Sequence, residues 1–393
     1  MENISSCKRS RQSGWSGSAI ILGGLALILS GCRENTEPAA EIPVAAKEAE
    51  TNTLTILTWE DYFSPSVIEA FESEFGVEIN FENFDNLDEM EALLRSRPGE
   101  FDLILTSGIK IPDLVSLQLV QPLRKDLLPN FNNNDSRLLG LGGDPQNEFS
   151  MPYMWGPTLI AYRSDKIEAP EESWKSLWDP KYKGRVLMLE ETFDAYSAAL
   201  LASGHDLNSQ DAAHLEAATK LLIDQVESME ARFVDINVIR SSLLAGDCWI
   251  TMTYSSDAAV LAEQEENISY FIPKEGAALW VDSFVVPRDA KNAETAHHFL
   301  DFFCRPDVAA ANSNELWCAS AIREVRPLLS KEILEDPTIY LSDEVLERCH
   351  VEVQSSPERQ QRINQGFKRV FDLVRETRDN VGNTSEIRSP SAP

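Results

Sequence analysis

Short β-prone apolar runs alternate with helix-length segments, and the runs end in aromatic, acidic or hydroxyl residues. Leu54-Thr55-Ile56-Leu57 is such a run and ends at Trp59-Glu60-Asp61-Tyr62. Ser64 is placed to cap a helix over Val67 to Phe75, with Pro65 in its first turn and Gly76 closing it. Val77 to Glu82 alternates as a second strand, and Asp88 to Arg95 reads as a helix. Phe101 to Thr106 is a third strand, ending at Ser107-Gly108, and Ile111 to Leu117 a further helix. This order argues for a parallel α/β sheet.

The pattern resumes after an Asn-rich loop. Leu159 to Tyr162 is a strand entered through Ser150 to Thr158, which we take as the crossing into a second lobe. Arg185 to Leu189 is a strand ending at Glu190-Glu191, with a helix from Asp194 to Ala202. Helices follow over Asp211 to Glu227 and Val238 to Ala245. Cys248 to Thr253 is a strand ending at Tyr254 and Asp257. The stretch Pro273 to Pro287 then returns the chain to the first lobe. Helices over Glu294 to Cys304, Pro306 to Ala311 and Pro357 to Val374 complete the body.

Composition narrows the chemistry. With 393 residues and 43% hydrophobic residues the chain can hold more than one ordinary core. A net charge of −29 excludes a basic nucleic-acid footprint and favours cations. The six cysteines show no metal-like spacing; Cys248, Cys304, Cys318 and Cys349 are open to one or two disulfides if the chain is exported. His297 and His298 are adjacent on a helix and face different directions, a poor metal pair.

The N-terminus reads as an address. Lys8, Arg9 and Arg11 precede an apolar run from Ala19 to Leu29, too short for a stable membrane span. Leu29-Ser30-Gly31-Cys32 resembles the bacterial lipoprotein box, which implies lipidation of Cys32 and a body tethered to a membrane outside the cytoplasm. Residues 33–52 lack periodicity and read as a flexible tether.

In open α/β sheets, ligands bind beyond the carboxyl ends of the strands. Five strands are read as ending in candidate ligand groups: Trp59, Asp61 and Tyr62; Ser107; Glu191 with Asp194; Tyr254 with Asp257; Trp280 with Asp282. Asp and Ser are common helix caps, whereas Glu, Trp and Tyr are poor ones, so capping does not explain the set. Trp280 and Asp282 share one face of a strand. An indole beside a carboxylate suits an organic ammonium ion, by cation–π contact and charge-assisted hydrogen bond. The structural reading of that pair is a core Trp and an Asp starting a turn.

Taken together, Leu57-Thr58-Trp59-Glu60-Asp61-Tyr62, Phe101-Asp102-Leu103, Met151 to Gly156, Ser173-Trp174 to Gly184, and Pro273 to Gly276 through Trp280-Val281-Asp282-Ser283 resemble the periplasmic polyamine-binding proteins of ABC importers, in lipoprotein form. The resemblance runs from about Thr53 to Val374. It implies a two-lobed, hinge-closing type II periplasmic-binding-protein fold, a monomer, no catalysis and no cofactor. It further implies capture of putrescine or spermidine between the lobes and delivery to a membrane permease. The expected lobes are residues 53–158 with 281–325, and 159–280 with 326–378, followed by a disordered tail over 379–393.

Residue by residue, the resemblance makes Trp59 and Tyr62 aromatic walls, Asp61 an ammonium-binding carboxylate and Ser107 a hydroxyl partner. Glu191 and Asp194 are the carboxylates of the second lobe. Tyr254, where the family usually has Trp, still offers a ring face; Asp257 matches a carboxylate typical of the putrescine-type members; and Trp280 and Asp282 match the central ring and carboxylate. Near the C-terminus Glu352 and Gln354 both fit a polar position. Ile109 and Lys110 depart from the aromatic residues of spermidine-type members, and Lys110 is expected to point to solvent. No G-x-S-x-G, H-E-x-x-H or G-x-x-x-x-G-K motif occurs. The alternative is the same fold binding another cationic or polar solute, or a sensing or regulatory lipoprotein.

Overall fold

The computed structural model describes residues 52–386 apart from residue 354. The leader with Cys32, the tether up to residue 51, Gln354 and residues 387–393 lie outside the described residues.

Twelve strands join in one sheet. They are β1 (Thr53–Thr58), β2 (Glu78–Asn83), β3 (Leu103–Ser107), β4 (Val120–Gln121), β5 (Ser150–Arg163), β6 (Val186–Leu189), β7 (Arg232–Val234), β8 (Ile250–Tyr254), β9 (Ile268–Phe271), β10 (Ala278–Pro287), β11 (Ala319–Ser320) and β12 (His350–Val351). The main path is β2-β1-β3-β10-β5-β8-β6-β7. Its two ends are parallel, as the strand–helix alternation predicts: β1 with β2 and β3, and β6 with β7 and β8.

The centre is not parallel. β10 runs antiparallel to both β3 and β5. It arrives from the second lobe and so enters the first from the cleft end. Trp280 and Asp282 therefore sit early in their strand, not at its carboxyl end as the sequence suggests. The antiparallel register sets Asp282 opposite Ser107, the last residue of β3.

β5 ties the halves together. Met151 to Pro157 pair with β10, and Thr158 to Arg163 with β8 and β9. The sequence suggests only a lead-in here, because proline cannot donate to a ladder. A bulge between Asp282 and Ser283, opposite Pro152, absorbs the irregularity.

Two motif segments far apart in sequence anchor the start of β10. Ser173 Oγ and the Trp174 backbone N–H donate to Glu275, Trp174 Nε1 donates to the Gly276 carbonyl at 2.8 Å, and Lys274 pairs with Glu171.

Helix Pro65–Phe75 starts where expected, with Ser64 Oγ accepting from the Val67 N–H and Gly76 in the left-handed region. β7 and β9 have no sequence counterpart in our reading. The turn over Trp174–Trp178 is 3-10 rather than α-helical. The C-terminal helix Pro357–Glu386 runs past residue 379, where a disordered tail is expected. After residue 326 the chain is held at two points: Asn314 Nδ2 donates to the Leu328 carbonyl at 3.2 Å, and Asp336 accepts from the Tyr270 hydroxyl.

The first-lobe core centres on Phe63, Phe71, Phe284, Phe299 and Phe303 with Tyr153. Cys248, Cys304, Cys318 and Cys349 are all buried and free, so no disulfide forms among them. Cys304 faces Met151 Sδ at 3.3 Å, while the Cys248 thiol donates to the Ile250 carbonyl at 3.4 Å.

Candidate functional site

The candidate residues gather around β10 and the ends of β1, β3, β6 and β8. Beyond β1, Asp61 takes the left-handed conformation (φ 54°), which Asp tolerates better than most residues. The turn carries Tyr62 inward, and its hydroxyl donates to Asp282 Oδ2 at 2.6 Å. Trp59 meets the Tyr62 ring edge-on at 5.6 Å and leans on Phe84 at 4.8 Å. Tyr153 holds the turn from below by donating to the Tyr62 carbonyl at 2.8 Å. Asp61 itself remains exposed.

The second lobe supplies Glu191 and Asp194. Glu191 occupies the cap position of helix Thr192–Ala202, and Tyr254 that of helix Ser255–Gln264, yet neither side chain caps. Both are free to do something else. The Tyr254 hydroxyl donates to Asp194 Oδ2 at 2.9 Å. Its ring stands edge-on to Trp280 at 6.3 Å. Trp280 lies over Gly156, its cross-strand partner.

These carboxylates share one poorly solvated region. Burial pushes Asp282 up to about 7, helped by the charge of Asp194 and opposed by the Tyr62 hydrogen bond. Burial likewise raises Asp194 to about 6, against the Tyr254 hydrogen bond. Glu191 rises to about 7 through burial, then the charges of Asp194, Glu190 and Asp88. Asp88 lies in the first turn of helix Leu87–Ser96. Among the described residues, Asp282, Asp194 and Glu191 form no ion pair.

Two expected groups stand differently. Asp257 is buried but engaged: Arg240 Nε donates to its Oδ1 at 2.5 Å. Lys110 does not extend into solvent. Its side chain is largely buried, with Nζ 2.7 Å from Glu91 and 3.6 Å from Asp88, both carried by helix Leu87–Ser96 beside it.

Glu352 joins the set. It is 8% exposed, and its Oε1 has no hydrogen-bond partner and lies 4.0 Å from Arg359 Nη1. Burial and the charge of Asp194 push it up to about 8, with Arg359 pulling it down. Asn208 straps this segment down, donating to the Val351 carbonyl at 3.1 Å and accepting from Val353 N–H at 2.9 Å. The sequence leaves Glu352 level with Gln354 because no periodic element surrounds them.

No group of three or more His, Cys, Asp or Glu is placed to hold a metal ion among the described residues. His297 Nε2 accepts from the Arg124 N–H at 2.9 Å, leaving Nδ1–H to donate to the Ala293 carbonyl at 2.6 Å.

A model of the family described as bacterial extracellular solute-binding protein matches residues 66–339. The chain belongs to this family. Among curated relatives of this solute-binding protein is the putrescine-binding periplasmic protein PotF of Escherichia coli, 33% identical over 319 residues, covering 76% of this chain and 86% of the relative. The spermidine/putrescine-binding periplasmic protein of the same species is 29% identical, covering 84% and 91%. The solved spermidine/putrescine ABC transporter substrate-binding protein PotD of Streptococcus pneumoniae is 25% identical and superposes with a TM-score of 0.73, covering 82% of this chain and 99% of that one. The solute-binding protein thus has the two-lobed type II architecture. No helix among its described residues is long and apolar enough to cross a membrane.

Proposed function

We propose that the chain captures a polyamine, putrescine or spermidine, between its lobes and hands it to an ABC-type permease, without catalysis. The observation that carries this reading is the gathering of Asp282, Asp194 and Glu191, unpaired and pushed towards neutrality, beside the rings of Trp280, Tyr254, Tyr62 and Trp59. Such a set has the chemistry of a cation box. The names of its relatives point to the same ligand class.

Asp282, with Ser107 opposite, takes one ammonium; Asp194 and Glu191 take another; the rings line the methylenes between. Each ammonium–carboxylate hydrogen bond contributes roughly 1.5–3 kcal/mol and each desolvated cation–π contact about 2 kcal/mol. Without ligand the carboxylates repel one another across the cleft. A dication relieves that repulsion only when the lobes are together, so it favours the closed form. Lipidation of Cys32 would anchor a monomeric body at the membrane, close to its permease.

Calorimetric titration of Asp282→Asn and Trp280→Ala with putrescine and spermidine tests the site. Marked weakening is expected in both, and unchanged affinity in both would sink the assignment.

A further inference from the structure

The two faces of β10 carry different chemistry. Successive side chains of a strand point opposite ways. Trp280 and Asp282 turn to the candidate site, so Leu279 and Val281 turn away from it. Those two form the floor of a second cavity, of about 500 Å³. Its walls come from separate parts of the fold. Leu138 and Leu141 make one wall. Their segment is fixed beside β3 and β11: the Asp135 N–H donates to the Ala321 carbonyl at 2.7 Å, and Gly142 lies so close to Gly108 that a Cβ on it would come 2.7 Å from the Gly108 Cα. Val351 and Val353 make the other wall. They are strapped to Asn208, which follows helix Thr192–Ala202, the carrier of Asp194. Val353 is 52% exposed, an apolar side chain left largely uncovered. Glu352 stands between these two valines and feels the charge of Asp194, so one short segment serves both the cavity and the site.

We propose that this cavity is the rear counterpart of the ligand cleft, and that it sets the balance between the open and closed forms. β10 is gripped on both edges, by β3 and β5, so it acts as a fulcrum and not as a moving part. The two-lobed body swings about it. Opening the cleft on the Trp280 face brings Leu138 and Leu141 towards Val351 and Val353 on the Leu279 face, and the cavity shuts. Its apolar walls leave water in the open form and return to water on closure, which opposes closure. Side chains that never touch the ligand therefore govern its affinity. Bulk placed in the cavity obstructs opening, raises the closed fraction of the ligand-free protein and tightens ligand accordingly. The swing does not depend on which solute binds; the affinity readout alone rests on the polyamine reading above.

Val353→Trp in the full chain tests this, by small-angle scattering without ligand and by calorimetry with putrescine. The wild-type radius of gyration is expected to fall when putrescine is added. In the variant the ligand-free radius should already lie near the liganded value, and putrescine should bind roughly three- to tenfold more tightly. Adding Leu141→Ala removes bulk from the opposite wall and should restore both wild-type values, which a tryptophan that merely stabilised its own segment would not show. Leu141→Trp, with the bulk on the other wall, should give the same compaction and decides the matter if Val353→Trp unfolds. A ligand-free radius unchanged in both tryptophan variants overturns the proposal. So does compaction that survives Leu141→Ala, or a wild type that binds putrescine without contracting. A wild type that binds neither putrescine nor spermidine overturns the polyamine reading, while the ligand-free radii still decide for or against the swing.

Discussion

The Tyr62 hydroxyl donates to Asp282 Oδ2 at 2.6 Å across 220 residues of sequence. Ring wall and carboxylate are thus one unit, and the hydrogen bond is what holds Asp282 down against burial. Tyr62→Phe should let Asp282 rise above about 7. Putrescine affinity at pH 7 should fall roughly tenfold, with much of the loss recovered at pH 9. Titrations at the two pH values check this; an equal loss at both would mean that the hydroxyl acts on the ligand directly.

Binding should depend on pH. Asp194 at about 6, Asp282 and Glu191 at about 7, and Glu352 at about 8 lie above their ordinary values of 3.8 and 4.5. A cationic ligand needs them ionised, so affinity should fall as pH drops from 8 to 6. Binding near pH 7 should release protons, visible as buffer-dependent calorimetric enthalpy.

The same shifts act on the ligand-free fold with the opposite sign. Raised carboxylates contribute stability below their unfolded values, near pH 4, and that contribution is lost as pH rises through about 6 to 8. Ligand-free protein should melt at a lower temperature at pH 8 than at pH 5.5, and ligand should raise the melting temperature more at pH 8. A pH-independent ligand effect would contradict the buried, unpaired state of these groups.

Gly156 is required by a close approach. A Cβ there would come 2.6 Å from Ser255 Oγ and 2.7 Å from Trp280 Cζ2. Gly156→Ala should push the indole off its seat, weakening ligand roughly tenfold or more through a lost cation–π contact. Tryptophan fluorescence on titration would report the displaced ring.

Gly276 serves the fold instead. It has φ +89°, and a Cβ would overlap the Arg348 carbonyl oxygen at 1.7 Å. Gly276→Ala should cost more than about 3 kcal/mol, because neither the backbone angle nor the space admits a side chain. Denaturant unfolding measures it; a loss under about 1 kcal/mol would show that the neighbouring segment yields easily.

Much of this molecule is legible in its sequence where the signal is local. Ser64, Pro65 and Gly76 mark one helix end to end, and Glu191 and Tyr254, poor caps by residue type, make no cap hydrogen bond. The direction of β10 is not local: it depends on which lobe the chain returns from, and alternation within a strand is blind to that. Arg240 meets Asp257 at a spacing of 17 residues, between two helices, which no helical period connects. Lys110 is settled by Glu91 and Asp88 on another helix. Cys248, Cys304, Cys318 and Cys349 carry no mark of whether they meet, and packing keeps these four single.

The place of β10 between β3 and β5 has a consequence for how the chain is made. Until the residues of β10 are available, β3 and β5 each lack a neighbour and offer a bare edge to any passing strand. The strand that closes both edges also carries Trp280 and Asp282. Nascent chains short of this point should be the aggregation-prone species, and long-range pairing of this kind is slow. Ligand can therefore serve only as a late lock on a finished fold, never as a nucleus for it.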